Sequence, residues 1–212
     1  MPPGGVTACA CLLYTSPDCI TAFRTDHPEI TLQYREYPDR QVERLFTAME
    51  GNVAFTIGPS DLPGVQETLL ESFEIKLLAN RRHPLSRKET VTIRDLEGEP
   101  LYLESSEFYI HHLIRNHCLE AGFTPNIVFE TSGFSLCHKM VRENRGISVV
   151  VDFVFDDMGN DEMCLIPFSD GEYRWSTCML TRKDMDAGED IRLFRNHILN
   201  WMEDIKAGKI RR

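Results

Sequence analysis

Apolar and polar residues in the first part of the chain switch between two periods. Residues 6–12 are mostly apolar, as in a buried strand. Ser16-Pro17-Asp18 then has the composition of a helix start, with a hydroxyl cap, a proline in the first turn and an acid. The helical spacing ends before Pro28, and apolar residues in the stretch 30–36 alternate as in a strand. The pattern predicts a β-α-β unit.

The unit is extended and then repeated later in the chain. The first half continues with an amphipathic helix at 39–50, a stop at Gly51 and a short apolar strand at 53–57. The repeat consists of strands at 101–104, 126–130 and 146–151, separated by helices at 107–121 and 134–143. The remaining predicted elements are strands at 65–70 and 73–79, a turn at 82–85, a short helix at 93–96, strands at 163–168 and 175–181, and a closing helix at 190–205.

Two β-α-β-α-β halves predict two lobes of an open α/β fold. We expect lobe I to comprise residues 1–75 and 177–212, and lobe II to comprise residues 76–176. In open α/β sheets, ligands bind beyond the carboxyl ends of the strands, where helices begin. Two such lobes predict a ligand cleft between them.

The charge of the chain argues against direct binding of nucleic acid. Acidic residues outnumber basic ones 33 to 23, giving a net charge of −10, and the basic residues are scattered. DNA binding needs clustered lysine and arginine side chains. The chain has no signal peptide pattern and no apolar run of membrane-spanning length. Because no apolar run is that long, we expect no membrane partner. Seven cysteines without a regular framework predict reduced thiols in a cytoplasmic protein.

Six blocks of sequence carry a family resemblance. They read CITAFRTDHPEITLQYRE, QVERLFTAMEGNVAFTIG, LLANRRHPLS, TIRDLEGEPLYLE, CLEAGFTPNIVFE and MVRENRGISVVV. In this order, from about residue 6 to residue 205, the chain resembles the effector-binding domain of LysR-type transcriptional regulators. Two positions depart from the family pattern: Ala54 stands where an aspartate is usual, and Val151-Asp152 stands where a proline is usual. The resemblance therefore does not transfer a ligand class.

The resemblance implies a two-lobed α/β fold of the type 2 periplasmic-binding-protein-like class. It further implies a small-molecule effector, a homodimer formed through this domain, a tetramer as a further state of the full-length protein, and neither cofactor nor enzymatic activity. Such regulators contact DNA through an N-terminal winged helix-turn-helix. Nothing before residue 6 has that pattern, so we expect the chain to be the sensory half of a regulator.

Two other functions share this fold. A solute-binding protein of a transport system is the main alternative, although the lack of a signal peptide pattern, the seven cysteines and the HPLS block count against it. An enzyme is disfavoured because the chain lacks a nucleophile elbow, a phosphate-binding glycine loop and a paired-carboxylate motif.

Hydroxyl-rich segments follow four of the predicted strands and form the candidate effector site. Helix starts favour anions, so we expect a carboxylate-bearing effector there. The candidate effector-binding residues are Tyr14, Thr15, Ser16, Gly58, Ser60, Ser105, Ser106, Phe108, Thr131 and Ser132. The alternative for Ser16 and for Ser105-Ser106 is that these serines only cap the helices that follow them.

Metal and redox chemistry are weaker alternatives. His111 and Cys118 lie two turns apart on one predicted helix face, with His117 adjacent, but zinc sites usually show tighter spacings. We therefore expect no metal site. Cys9 and Cys11 share a face of the first strand, and buried apolar packing explains them better than a redox pair, which needs accessible thiols of low pKa.

Overall fold

The computed structural model describes residues 5–10, 17–158, 160–183 and 188–210, the side chain at position 157 excepted. The chain divides into two compact units. Unit 1 comprises residues 1–71 and 176–212, and unit 2 comprises residues 72–175. In chain order the elements are β1 (Val6–Ala10), α1 (Pro17–Asp26), β2 (Leu32–Glu36), α2 (Asp39–Thr47), β3 (Val53–Gly58), β4 (Val65–Asn80), β5 (Leu101–Glu104), α3 (Tyr109–Glu120), β6 (Ile127–Thr131), α4 (Phe134–Arg142), β7 (Ile147–Val151), α5 (Asp152–Met158), β8 (Met163–Ile166), β9 (Arg174–Arg182) and α6 (Glu189–Lys206).

Unit 1 is built on a sheet in which β1 lies between β2 and β3 and is parallel to both. The strand β9 completes this sheet by pairing antiparallel with β3. On one face, α1 and α6 pack through Phe23 and Phe194, whose rings meet edge to face at 5.0 Å, and Phe55 of β3 reaches the same cluster. The next residue along β3, Thr56, contacts Glu43 of α2 on the opposite face. The alternation of β3 therefore supplies both layers of the core.

Helix α2 is held to the sheet by its own apolar stripe and by an arginine of β9 that lies at the carboxyl end of the helix. Val42 and Phe46 are fully buried. The guanidinium of Arg182 lies 4.3 Å from the centre of the Phe46 ring, and it also donates a hydrogen bond to the Phe46 carbonyl. A cation at the carboxyl end of a helix is favoured by the helix dipole. The helix ends at Thr47, before the predicted end at residue 50.

Unit 2 contains a mixed sheet. The strand β5 is parallel to β6 and β7, while β4 runs antiparallel to β7 and β8. The prediction of two strands at 65–70 and 73–79 was wrong, because β4 is one continuous strand of 16 residues. Its first half is mostly exposed and its second half mostly buried, so the apolar pattern changes while the backbone stays extended.

Helix α5 was not predicted from the sequence. The carboxylate of Asp152 accepts the N–H of Phe153 at the start of α5, and the Phe153 ring then packs on Phe73 and Trp175. A helix of seven residues, about two turns, is too short for its apolar spacing to be recognised. The predicted turn at 82–85 and short helix at 93–96 are 3-10 turns at Pro84–Arg87 and Ile93–Leu96.

The strands β5 and β7 approach each other closely where β7 begins. The N–H of Ile147 donates to the Pro100 carbonyl at 2.9 Å. A Cβ on Gly146 would lie only 2.2 Å from the same carbonyl oxygen and 3.0 Å from the ring of Tyr102. Because the obstructing atom belongs to the backbone, it cannot move aside as a flexible side chain would. Only glycine fits here without displacing β5.

We predict that Gly146→Ala destabilises the domain by about 1–3 kcal/mol, the usual cost of forcing extra volume into a packed core. The matched control is Gly171→Ala, since Gly171 is exposed and its added Cβ would come no nearer than 3.5 Å to another atom. We expect the control to change the free energy of unfolding by less than about 0.5 kcal/mol. Urea unfolding followed by tryptophan fluorescence measures both. Equal stability of the two variants would contradict the close approach.

Candidate functional site

The loop after β3 is tied to the chain by a carboxylate. The N–H of Ser60 donates to Oε2 of Glu67 at 2.7 Å, and the thiol of Cys178 donates to Oε1 of the same carboxylate at 3.4 Å. A Cβ on Gly58 would lie 2.5 Å from the Cys178 sulfur and 3.0 Å from Glu67 Oε1. A side chain at position 58 would therefore require Cys178 and Glu67 to shift. One backbone donor of the predicted site, the Ser60 N–H, already has an acceptor within the chain.

A second carboxylate lies near this loop. The hydroxyl of Thr56 is 3.5 Å from Oε1 of Glu43. Burial raises the pKa of Glu43 above its ordinary value, and the negative charge of Glu67 raises it further, while Arg40 and the hydrogen bonds act in the opposite direction. Burial and the nearby Glu67 also raise the pKa of Cys178 to about 12, so its thiol is neutral and can donate. The carboxyl end of β3 is thus acidic in character.

In unit 2, the segment between β5 and α3 forms a turn rather than a capped helix start. The Phe108 N–H donates to the Ser105 carbonyl at 3.0 Å, and α3 begins at Tyr109 with Phe108 at the cap position and no side-chain cap. The prediction that Ser105-Ser106 cap a helix starting at residue 107 was wrong. The turn at residues 105–108, which precedes α3, is held by His112, which donates to the Ser106 carbonyl at 2.7 Å.

The segment between β6 and α4 lies beside that turn. The Ser105 N–H donates to the carbonyl of Thr131 at 2.8 Å, which joins two of the predicted site segments. The Gly133 N–H is 3.4 Å from the Thr131 hydroxyl, and Ser132 is exposed. Gly133 occupies the cap position of α4 and provides no side-chain cap. The structure therefore sets the starts of α3 and α4 at one edge of the sheet.

The remaining predicted segment, Tyr14, Thr15 and Ser16, lies outside the described residues, as does Cys11. Helix α1 begins at Pro17, as predicted, and Asp18 is the acid of its first turn. The role of the three residues before α1 stays a prediction from the sequence.

Three buried polar residues of unit 2 were not among the predicted site residues. Glu104, His111 and His138 are each at most 5% exposed. His111 donates to the carbonyl of Glu104 at 2.9 Å. Nδ1 of His138 donates to the Phe134 carbonyl at 3.0 Å, and burial lowers the pKa of His138, so its ring is neutral at pH 7. In the sequence, Glu104 stands out as a charge that ends an otherwise apolar strand, and His111 was weighed only as a metal ligand.

The structure groups no metal ligands in the described residues. Across residues 5–10, 17–158, 160–183 and 188–210, no three or more His, Cys, Asp or Glu side chains are placed to hold a metal ion. Two of the candidate metal ligands from the sequence have other surroundings. Nδ1 of His117 lies 3.7 Å from Oε2 of Glu120. Cys118 is fully buried, and burial raises its pKa to about 11.

The described cysteines are free thiols. Burial raises the pKa of Cys9, and it raises those of Cys19 and Cys137 to about 12. A reactive thiol needs a lowered pKa, so these side chains behave as small apolar groups. Among the helices of the described residues, none combines the length and the apolar composition of a membrane span.

Comparison of the sequence with known families gives one match over nearly the whole chain. The family described as "LysR substrate binding domain" matches residues 5–203. The HTH-type transcriptional regulator YwbI of Bacillus subtilis is 27% identical over 195 residues, which are 90% of this chain and 63% of YwbI. The regulator AlsR of the same species is 30% identical over 142 residues, which are 63% of this chain and 45% of AlsR. The chain thus spans between about half and two thirds of these curated relatives.

Solved structures show the same fold. The effector-binding domain of QuiR in complex with shikimate superposes with a TM-score of 0.80 at 14% identity, covering 95% of this chain and 98% of that one. The effector-binding domain of BenM with its effector benzoate gives a TM-score of 0.77 at 18% identity, covering 98% and 95%. The predicted α/β fold of the type 2 periplasmic-binding-protein-like class is confirmed.

The environment of Glu43 predicts a pH-dependent gain in stability from Glu43→Gln. Because its pKa is raised, the charged form is disfavoured in the folded state, and its contribution to stability falls as pH rises above the ordinary value of about 4.3. The neutral amide avoids this cost and can still accept from Thr56. We expect a gain at pH 7 of less than about 1 kcal/mol, since water screens a half-exposed carboxylate.

Thermal unfolding at pH 7 and pH 4 tests this expectation. The difference between Glu43→Gln and the parent protein should shrink toward pH 4, where the Glu43 carboxyl becomes increasingly protonated. The control is Glu36→Gln, because Glu36 is an exposed carboxylate of the same unit. A gain that is the same at both pH values, or equal in the control, would contradict the proposed cause.

Proposed function

The chain belongs to the family of LysR substrate-binding domains, and from that premise we propose that it is the ligand-sensing domain of a LysR-type transcriptional regulator. Its relatives YwbI and AlsR are transcriptional regulators. In this proposal the domain binds a small effector and catalyses no reaction. The effector acts by binding one arrangement of the domain more tightly than another, since a ligand shifts an equilibrium only through such a difference.

One observation carries the proposed binding site. The bond from the Ser105 N–H to the Thr131 carbonyl sets the starts of α3 and α4 side by side, and neither helix has a side-chain cap. The first N–H groups of a helix, together with its dipole, favour an anion. The exposed side chains of Ser106 and Ser132 add hydroxyl donors at the same edge. We therefore propose that these two starts bind a carboxylate of the effector.

The structural neighbours support an acidic effector. QuiR was solved with shikimate and BenM with its effector benzoate, and both molecules are carboxylates. The departures of this chain at Ala54 and Val151-Asp152 leave the rest of the molecule open, so the proposal names the acid group and not the compound. We propose that Tyr14, Thr15 and Ser16, which precede α1 in the sequence, also bind the effector, as the sequence predicts.

We propose that DNA is contacted by another part of the whole regulator. The net charge of −10 makes this domain a poor ligand for a phosphate backbone. The domain would influence DNA binding through its own assembly, which the proposed effector reshapes.

A thermal-shift screen of small carboxylates, with benzoate and shikimate among them, tests the sensor proposal. Binding to the folded state raises the melting temperature with ligand concentration. For any acid that binds, we expect Ser106→Ala to weaken the affinity about 3- to 10-fold, the effect of one lost hydrogen bond. The control Thr25→Ala, an exposed hydroxyl near the end of α1 that bonds the Thr21 carbonyl, should bind as the parent does. No shift with any acid, or unchanged binding by Ser106→Ala, would count against the proposed site.

We also propose that the domain forms a homodimer, and the edge of unit 2 supports this. Among the described strands, β6 pairs only with β5. Val128 and Phe129 on β6 are 46% and 48% exposed, and Leu119 of α3 is 44% exposed. An unpaired strand edge with exposed apolar side chains is a surface that proteins normally cover. A second copy of the chain is the proposed cover.

Sedimentation velocity over a range of concentrations tests the dimer. We expect the parent domain to dimerise and Phe129→Glu to raise the dimer dissociation constant at least about 10-fold, because the charge would be buried on association. The matched control is Leu69→Glu, at a side chain of unit 1 that is 60% exposed. A parent that stays monomeric, or a variant that dimerises unchanged, would exclude this edge as the interface.

A further inference from the structure

The carboxylate of Glu67 occupies the position where the loop after β3 could bind an anion. We call residues 59–64 the β3 loop. The Ser60 N–H points at Oε2 of Glu67 at 2.7 Å, which is the short distance of a charge-assisted hydrogen bond. Oε1 of the same carboxylate accepts from the Cys178 thiol at 3.4 Å. Both oxygens are therefore held by donors, and one of those donors is the backbone group that a ligand would need.

The surroundings strengthen the negative character of this position. Glu43 lies close enough to Glu67 for the charges of the two carboxylates to affect each other, and Arg40 is the positive side chain that acts on Glu43. Gly58 leaves room for Glu67 and Cys178, since a Cβ at this position would lie 2.5 Å from the Cys178 sulfur and 3.0 Å from Glu67 Oε1. A carboxylate arriving from solution would have to displace Glu67 and would meet like charge.

We propose that Glu67 is a specificity-determining residue that keeps carboxylates off the β3 loop. The proposal rests on the function proposed above and on the expectation from the sequence that Gly58 and Ser60 belong to the effector site. Any effector group that meets this loop must then be a hydrogen-bond donor, such as a hydroxyl or an ammonium group. Glu67 thus favours an effector that presents a hydroxyl or amino group to the β3 loop over one that presents a carboxylate there.

Titration with acetate, followed at the Ser60 amide by NMR, tests the proposal without knowledge of the effector. In the parent domain, acetate should leave the Ser60 amide resonance unchanged. In Glu67→Ala the N–H becomes accessible, and we expect acetate to bind there at least about 10-fold more tightly than in the parent. Glu67→Gln keeps an acceptor for the Ser60 N–H but removes the charge, so its acetate affinity should lie between those of the parent and Glu67→Ala.

The control is Asp61→Asn, which removes an exposed charge from the same loop without touching the Ser60 bond. It should behave as the parent. Acetate binding at Ser60 in the parent, or no binding there in Glu67→Ala, would overturn the role of Glu67. If the thermal-shift screen finds no effector but the acetate titration gives the expected result, only the sensor function is rejected. If the screen finds an effector but the acetate titration fails, only the role of Glu67 is rejected.

Discussion

Parallel pairing of strands is the constraint on which the rest of this structure depends. In unit 1, β1 is parallel to β2 and β3, and in unit 2, β5 is parallel to β6 and β7. Parallel neighbours cannot be joined by a tight turn, so the chain crosses back through a helix each time. Every such helix begins at the edge where the strands end. The loops that could bind a ligand are therefore gathered at that edge by backbone hydrogen bonding.

The same constraint explains the demands on small residues. Where β5 and β7 lie side by side, the backbone carbonyl of Pro100 occupies the space that a side chain at position 146 would need. At the end of β3, Gly58 leaves room for Glu67 and Cys178. In both places the absence of a Cβ lets a polar group come close to the backbone. In unit 2 this allows β5 and β7 to pack side by side, and in unit 1 it places a carboxylate beside the loop after β3.

The pattern of the sequence predicted the order of nearly all helices and strands, because each long element buries one face and so shows its period. Predictions failed where an element is too short, or its burial changes along its length, so that it shows no single period. β4 changes from exposed to buried halfway along and looked like two strands. Helix α5 has seven residues, too few to show a period. Helix α3 begins two residues later than predicted, since His112 and the Ser105 carbonyl support an extra turn.

By itself, the sequence determined the α/β class, the repeated strand and helix pattern and the family, because these depend on periodicity and on the order of local motifs. It also marked the strand ends rich in hydroxyl groups. Only the tertiary structure decided what those groups contact. The bonds from Ser105 to Thr131 and from Ser60 to Glu67 join residues 26 and 7 positions apart, and buried His138 lies against its own helix. The folded geometry decides which hydrogen-bond donors find an acceptor within the chain. The local sequence pattern carries no information about these partners.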